Sequence, residues 1–216
     1  MSVSKTIVIS CAGMGTRLGI GSTKALIDID GKPLLIRQLE LLKDYDDIRV
    51  VVGYQKERVI ETVTAYRKDI LFAFNHDYKH TGTGASFLIG AEHSRELVVA
   101  LDGDLLVNPE DLRRVLESDE EYICGTTPST DNPVLLQTEE TASGRVVTGF
   151  SREKGEYEWT GLAQIRADRL GKGSGHVYQL LEPLLPVQMK EIRTKEIDTM
   201  DDYKHAVAWV QNGYRD

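Results

Sequence analysis

Residues 6–19 read TIVISCAGMGTRLG, and this stretch joins a short apolar run to a glycine-rich loop. Residues 6–10 are rich in β-branched side chains, which predicts a strand buried on both faces. Glycines let a backbone approach phosphate groups closely and point several N–H groups at them. Arg17 and Lys24 would add charge-assisted bonds to the same oxygens. The stretch therefore predicts a phosphate-binding site at the end of the first strand.

The loop matches neither of two common phosphate-binding patterns. GxxxxGK[ST] is absent, and Arg17 and Leu18 follow where GxGxxG would place its third glycine. A flexible turn between a strand and a helix is the alternative interpretation of a lone GxG. Arg17 and Lys24, directly downstream of a buried strand, favour the phosphate site.

Length and composition predict a single folded domain, residues 1–216, in an acidic protein. The formal net charge is −8, which argues against a nucleic-acid partner because phosphate backbones need a basic face. Cys11 and Cys124 form no CxxC pattern, so we expect reduced, buried thiols and a cytoplasmic location. The apolar run at the N-terminus is too short for a signal peptide or a membrane span, so no membrane partner is expected.

Strand and helix patterns alternate through the first 120 residues, which predicts a mostly parallel, Rossmann-like sheet in a three-layer α/β/α fold. The predicted strands of this part are 6–10, 48–53, 71–74 and 97–101. The predicted helices are one that Pro33 opens, 56–67, 84–93, and 109–117 with Asn108 as its N-cap.

A second pattern follows residue 121 and predicts a small mixed or antiparallel β-rich section that lies over the sheet. Its predicted strands are 122–126, 134–138, 145–150, 158–165 and 190–196, with helices at 174–185 and 201–211. We expect residues 1–120 to bind a nucleotide and residues 121–216 to bind an acceptor.

Carboxylates at two places in the chain suit a hard cation. Asp102 and Asp104 flank a glycine at the end of a predicted buried strand, where ligands of parallel sheets gather, although a solvated turn is the alternative. Strand alternation would send Glu196 and Asp198 to one face. For the neighbouring residues 201 and 202, a helix start is favoured over a metal site.

The run GMGTRLG…TKALIDIDGKPLLIRQLELL, residues 13–42, resembles the sugar-phosphate nucleotidyltransferases, which share the MobA-like NTP transferase fold. It also resembles their smaller relatives, the phosphocholine cytidylyltransferases, and EIDTMDDY, residues 196–203, is similar to a run near the C-terminus of those enzymes. The resemblance implies Mg²⁺ held by Asp104, Glu196 and Asp198. It also implies a homodimer, since homologous enzymes often form dimers.

The chemistry of the residues and the same resemblance together give the remaining site residues, with Trp159 expected to pack on a quaternary ammonium group. Those expected to bind the nucleotide are Ala12, Gly13, Met14, Gly15, Thr16, Arg17, Lys24, Gly53, Asn75, Thr83, Gly84, Ala85, Ser86 and Asp102. Those expected to bind the acceptor are Glu153, Lys154, Trp159, Thr160 and Gly161. Arg17, Lys24 and Lys154 are the expected catalytic residues. An exposed hairpin remains the alternative for residues 152–154, and a core or rim position the alternative for Trp159.

The activity implied is transfer of CMP from CTP to a small phosphorylated or phosphonylated acceptor, with release of pyrophosphate, for cell-surface polysaccharide or phosphonate synthesis. Phosphocholine, a phosphonate or a polyol phosphate would suit as acceptor. Three alternatives stay open: a UTP- or dTTP-dependent sugar-1-phosphate nucleotidyltransferase, a guanylyltransferase of the molybdenum-cofactor type, and a nucleotide-binding regulatory homologue without turnover.

Overall fold

The protein is built around a large mixed β-sheet with helices on both faces. A computed structural model describes residues 4–15 and 21–215. Within these residues the strands are β1 (Lys5–Cys11), β2 (Asp28–Ile29), β3 (Lys32–Pro33), β4 (Ile48–Val52), β5 (Leu71–Phe74), β6 (Leu97–Asp102), β7 (Leu105–Val107), β8 (Tyr122–Thr126), β9 (Leu135–Thr141), β10 (Gly144–Ser151), β11 (Tyr157–Arg166), β12 (Val187–Glu191) and β13 (Thr194–Glu196). The α-helices are α1 (Leu34–Leu41), α2 (Lys56–Tyr66), α3 (Thr83–Ala91), α4 (Pro109–Leu116), α5 (Val177–Leu181) and α6 (Met200–Gln211).

Parallel pairing builds the first half of the sheet. The order there is β5-β4-β1-β6, and neighbouring strands run in the same direction. The apolar side chains of β1 and β4 are buried on both faces of the sheet. One face packs against α1, α2 and α4, and the other against α3 and α5. This three-layer arrangement confirms the predicted fold class.

The strands after residue 121 extend the same sheet. β11 pairs antiparallel with β6, and the order continues β11-β8-β12-β10-β9. The predicted mixed or antiparallel section is therefore present, but it lies in line with the parallel strands instead of over them. The register explains this position, because Ala163 of β11 pairs with Ala100 of β6. β9 also pairs with the start of β11, so this half curls back on itself.

Two predicted elements are each divided into two in the structure. The helix predicted at 174–185 is α5 followed by a 3-10 turn, Glu182–Leu184, where Pro183 lacks the N–H that would continue the helix. The strand predicted at 190–196 is divided into β12 and β13. The chain turns between them, where the Ile192 N–H donates to the Gly125 carbonyl, and β13 then pairs with β7.

Helix starts follow the signals in the sequence. The Asn108 side chain accepts hydrogen bonds from the first turn of α4, as predicted, and Thr199 caps α6. Cys11 and Cys124 are free and buried. Among the described residues, no helix combines the length and apolarity needed to cross a membrane.

Candidate functional site

The glycine-rich loop lies at the carboxyl end of β1 and contacts two neighbouring segments. Gly15 has a φ of +58°, and a Cβ added there would lie 2.8 Å from Lys24 Cγ, so the loop packs on the lysine stem. A Cβ added at Gly53, which follows β4, would lie 2.8 Å from the Ala12 carbonyl oxygen. Gly13 is exposed, and no described residue lies within 4 Å of a Cβ added there. The described part of the loop is thus held by its neighbours, and the exposed backbone of Gly13 is available to a ligand.

Three carboxylates from two distant parts of the chain meet near this loop. One oxygen from each of Asp104, Glu196 and Asp198 lies within 4.8 Å of the other two. Asp104 follows β6, and the pairing of β7 with β13 sets Glu196 opposite Leu105. Mg²⁺ prefers oxygen ligands and is usually held by one or two carboxylates together with substrate phosphates. The three residues predicted to bind a metal are therefore adjacent, and their chemistry and spacing fit a divalent cation.

Lys24 joins the glycine loop to the carboxylates. Its Nζ lies 3.0 Å from Asp104 Oδ2 and also donates to Asp198 Oδ1. The residue is only 8% exposed. Burial by itself lowers the pKa of Lys24, but the two carboxylates outweigh this effect and leave the pKa above its ordinary value. The lysine is therefore a positive charge within the cluster.

The pKa of Glu196 reflects the excess of negative charge among these carboxylates. Burial raises its pKa, Asp104 and Asp198 raise it further, and Lys24 opposes them, so that the pKa reaches about 7. Glu158 acts in the same direction as the two aspartates. Mutual repulsion of this kind is relieved by a cation, which agrees with the fit of a divalent ion.

Asp102, the last residue of β6, lies next to Gly161 of β11 and near enough to Asp104 and Glu196 for their charges to act on it. Burial raises its pKa, and the charges of Asp104 and Glu196 raise it further. Gly161 has a φ of +81°, and a Cβ added there would lie 2.5 Å from Asp102 Oδ2. The pairing of β11 with β8 is irregular at this point, as in a β-bulge. Glycine at position 161 therefore lets the strand pass directly beside the aspartate.

Two residues that support the site, Gln38 and Asp202, were not predicted to do so. Gln38 was not singled out in the sequence, and Asp202 was assigned only to the start of a helix. Gln38 of α1 is 2% exposed, and its Nε2 donates to the carbonyls of Asp102 and Leu105 at 2.8 Å each. It thereby fixes the turn between β6 and β7. Asp202 Oδ2 accepts the Asp198 N–H at 3.2 Å. A buried amide within the apolar stripe of α1 was the signal available for Gln38.

Residues 75–86, predicted to contact the base or ribose, lie beside Gly53. The Tyr78 ring packs 2.9 Å from the position of a Gly53 Cβ. The buried Asn75 amide donates to the hydroxyls of Thr81 and Ser86, both at 3.0 Å. These bonds shape the segment from within, so its polar side chains are held in fixed positions next to the glycine loop.

The start of α3 packs closely on residues 174–177. The Gly84 N–H donates to the Gly175 carbonyl at 2.8 Å, and a Cβ at Gly84 would lie 2.7 Å from that oxygen. Thr83 Oγ1 accepts the Val177 N–H at 3.3 Å. This packing therefore requires glycine at position 84. The nucleotide-binding roles of Thr83, Gly84 and Ala85 stay predictions.

The residues predicted to bind the acceptor fall in two places. Glu153 and Lys154 are exposed on the turn between β10 and β11, where both backbone N–H groups donate to Ser151 Oγ. Trp159 is half-buried, with its ring edge-on to Phe150 at 6.1 Å. Trp159 leads into the bulge that contacts Asp102, whereas the Lys154 side chain makes no hydrogen bond or ion pair with a described residue.

Of four further predicted residues, the structure describes Thr160 and Met14 only. The Thr160 hydroxyl is buried and donates to the Cys124 carbonyl at 3.2 Å. Met14 is 39% exposed on the glycine loop. Thr16 and Arg17 lie outside the described residues, so their roles stay predictions.

Comparison with known proteins identifies relatives of this chain. The family model described as the MobA-like NTP transferase domain matches residues 7–165. The bifunctional protein GlmU of Sulfurovum sp. (strain NBC37-1) is 29% identical over 214 residues, which cover 96% of this chain and 47% of that protein. The chain thus spans about half the length of this relative.

Solved structures share the fold. CTP:phosphocholine cytidylyltransferase from Streptococcus pneumoniae (LicC) has a TM-score of 0.75 at 20% identity, covering 96% of this chain and 100% of that chain. The inositol-1-phosphate CTP transferase from T. maritima has a TM-score of 0.78 at 16% identity, covering 100% and 99%. At these identities the likeness shows a common architecture.

Proposed function

The chain belongs to the MobA-like NTP transferase family, and from this membership we propose that it transfers CMP from CTP to a small phosphorylated or phosphonylated acceptor, releasing pyrophosphate. The family makes the protein a nucleotidyltransferase. The donor nucleotide, the acceptor and the roles of individual residues are the parts we propose.

One observation carries the proposal, namely that Lys24 contacts both the glycine loop and the carboxylates. Gly15 packs on the lysine stem, while the lysine Nζ bonds to Asp104 and Asp198. A triphosphate needs amides and a cation on one side and a metal site on the other. These groups converge here from separate parts of the chain, which supports a nucleotide-transfer site.

Asp104, Glu196 and Asp198 would hold the magnesium ion. When bound, Mg²⁺ supplies neutralisation of phosphate charge during displacement at phosphorus. The residues of the chain do the rest. Backbone amides at Gly13 and Gly15 would bind phosphate oxygens, and Lys24 would steady the leaving pyrophosphate.

The reaction is one in-line displacement. An acceptor phosphate or phosphonate oxygen forms a bond to the α-phosphorus of CTP, and the bond from that phosphorus to the bridging oxygen of the β-phosphate breaks. The acceptor oxygen is already ionised at neutral pH, so catalysis consists of positioning and charge stabilisation without a general base. Lys154 would hold the acceptor, with Glu153 and the segment 159–161 beside it.

CTP is proposed because residues 196–203 resemble the cytidylyltransferase branch, and because LicC and the T. maritima enzyme, which share this fold, are named as CTP-using transferases. We assign nucleotide binding to residues 1–120 and acceptor binding to residues 121–216. A homodimer and a cytoplasmic location complete the proposal.

A pyrophosphate-release screen tests the assignment. CTP, UTP and dTTP are each combined with phosphocholine, phosphonates, polyol phosphates and sugar 1-phosphates in the presence of Mg²⁺. We expect release with CTP and a small acceptor. Release confined to UTP or dTTP with a sugar 1-phosphate would replace the proposal by the sugar-nucleotide alternative. Magnesium-dependent nucleotide binding without release from any pair would instead indicate a regulatory homologue.

A further inference from the structure

Glu158 is a buried carboxylate that the proposed reaction does not use. It lies at the start of β11 and is 4% exposed. One carboxylate oxygen accepts the backbone N–H groups of Ser129 and Thr130, at 2.8 and 3.2 Å, and the other accepts the Thr130 hydroxyl. A buried carboxylate that accepts three hydrogen bonds is a strong anchor. Here it anchors the segment 127–134, which joins β8 to β9.

The anchored segment is also tied to both stretches that we assign to acceptor binding. Arg152 Nη1, next to Glu153, donates to the Asn132 carbonyl at 2.6 Å. The backbone N–H of Trp159 donates to the Val134 carbonyl at 2.7 Å. Together with Glu158, these contacts fasten the segment to the turn before β11 and to the first residues of β11.

Strand directions set this segment at the edge of the sheet that carries the site. β11 runs antiparallel to β6, so the beginning of β11 lies level with the end of β6, where Asp102 and Asp104 are found. β8 runs antiparallel to β11, so the segment that follows β8 starts at the same edge. The segment 127–134 therefore starts at the edge of the sheet that carries the carboxylates, beside the first residues of β11, which we assign to acceptor binding.

We propose that residues 127–134 form part of the wall of the acceptor site and that Glu158 is the positioning residue that holds this wall. The inference rests on the proposed function, which supplies the acceptor. In this role Glu158 acts through its hydrogen bonds to the wall. Its negative charge also reaches Glu196, but Glu158→Ala and Glu158→Gln both remove that charge, so a difference between the two variants reports on the hydrogen bonds. Loss of the anchor should therefore weaken acceptor binding and leave CTP binding unchanged.

Steady-state kinetics of Glu158→Ala and Glu158→Gln test the inference, using CTP and the acceptor that gives the fastest pyrophosphate release in the screen. We expect Glu158→Ala to raise the KM for the acceptor by roughly 10-fold or more, since a misplaced binding wall costs up to about 10²-fold. The KM for CTP should stay within about 2-fold. Glu158→Gln should restore the acceptor KM to within about 3-fold, because its amide oxygen still accepts N–H groups and the Thr130 hydroxyl can rotate to accept.

Gln164→Ala is the matched control. Gln164 is a fully buried polar residue of the same strand, and its Nε2 donates to the carbonyls of Ser118 and Glu120 at the opposite edge of the sheet. Its truncation should destabilise the protein without raising the acceptor KM. Thr130→Val serves as a second test, because Thr130 is half-exposed and its loss removes one bond of the anchor. We expect it to raise the acceptor KM in the same direction by a smaller factor.

Limited proteolysis separates failure of this inference from failure of the proposed function, because it needs no turnover. A protease of broad specificity should cut Glu158→Ala within residues 127–134 faster than the wild type, and should cut Glu158→Gln at the wild-type rate. Unchanged cleavage of Glu158→Ala would overturn the inference even in an active enzyme. Equal rises of both KM values, or a Glu158→Gln as impaired as Glu158→Ala, would also overturn it.

Discussion

Lys24 Nζ lies 3.0 Å from Asp104 Oδ2, within the set of carboxylates that would bind a metal. The lysine therefore supplies positive charge at a place where a divalent ion is proposed to bind. The lysine and the ion compensate the same carboxylates, so their effects on stability and on metal affinity are coupled.

Neutralising this lysine should make the protein depend on metal for its stability. We expect Lys24→Gln to lower the free energy of unfolding in EDTA by about 3–5 kcal/mol, the usual effect of removing one partner of a buried ion pair. Added Mg²⁺ or Mn²⁺ should restore more stability to this variant than to the wild type. Urea unfolding with EDTA and with metal measures both quantities.

The control for this variant is Lys32→Gln. Lys32 pairs with Glu40 at 2.6 Å, but both side chains are 37% exposed, so its loss should cost less than about 1 kcal/mol in either condition. A Lys24→Gln protein that is as stable as the wild type in EDTA would contradict the coupling of lysine and metal.

Removal of a proposed metal ligand should slow pyrophosphate release. We expect Asp104→Asn and Asp198→Asn each to reduce the rate by about 10²–10³, as for other preorganised electrostatic groups. Electron paramagnetic resonance of Mn²⁺ should show weaker binding in parallel. Asp201→Asn is the control, since Asp201 is exposed and pairs with Lys204 on the surface. Full activity of Asp198→Asn would remove that residue from the metal site.

Asp111 should make the stability depend on pH. Burial would raise its pKa, but hydrogen bonds from Arg193 and Arg114 outweigh burial and hold the pKa below its usual value. A depressed pKa stabilises the fold above the unfolded value, near pH 4, and the effect disappears as the pH falls through the folded value.

We therefore expect Asp111→Asn to lose about 2 kcal/mol at pH 7, since bonds to charged groups are worth this much, and to approach the wild type well below pH 4. Urea unfolding at both pH values measures the difference. Asp131→Asn, an exposed loop substitution, should leave the free energy of unfolding unchanged at pH 7. A loss at Asp111 that is constant with pH would show that its charge is not the cause.

Local patterns were sufficient to predict most of the sheet and one side of the site. The strands β1, β4 and β6 are mostly apolar and almost entirely buried, and the glycine loop and Asp104 follow such strands closely. The proximity of Asp198 to Asp104 was predicted only through resemblance to a family, because nothing in the spacing of the two residues relates them.

Long-range pairing set the features that the sequence could not predict. β7 and β13 have three residues each, too few for a periodic pattern, yet their pairing brings Glu196 beside the turn that carries Asp104. The roles of Gln38 and Glu158 depend on which loops lie opposite them in the fold. Secondary-structure propensity depends on neighbouring residues in the sequence, so it contains no information about which distant strand or loop a residue will contact.

Gly161 should tolerate no side chain, because a Cβ would meet Asp102 Oδ2 at 2.5 Å and the φ of +81° disfavours L-residues. We expect Gly161→Ala to destabilise the protein by more than about 1 kcal/mol and to slow pyrophosphate release by displacing Asp102. Thermal denaturation and the release assay measure these effects. Gly171→Ala is the control, since no residue of the described ranges lies within 4 Å of a Cβ added there, and it should change stability by less than about 0.5 kcal/mol. Equal stability and equal release rates of the two variants would show that the backbone of β11 can shift at the bulge without displacing Asp102.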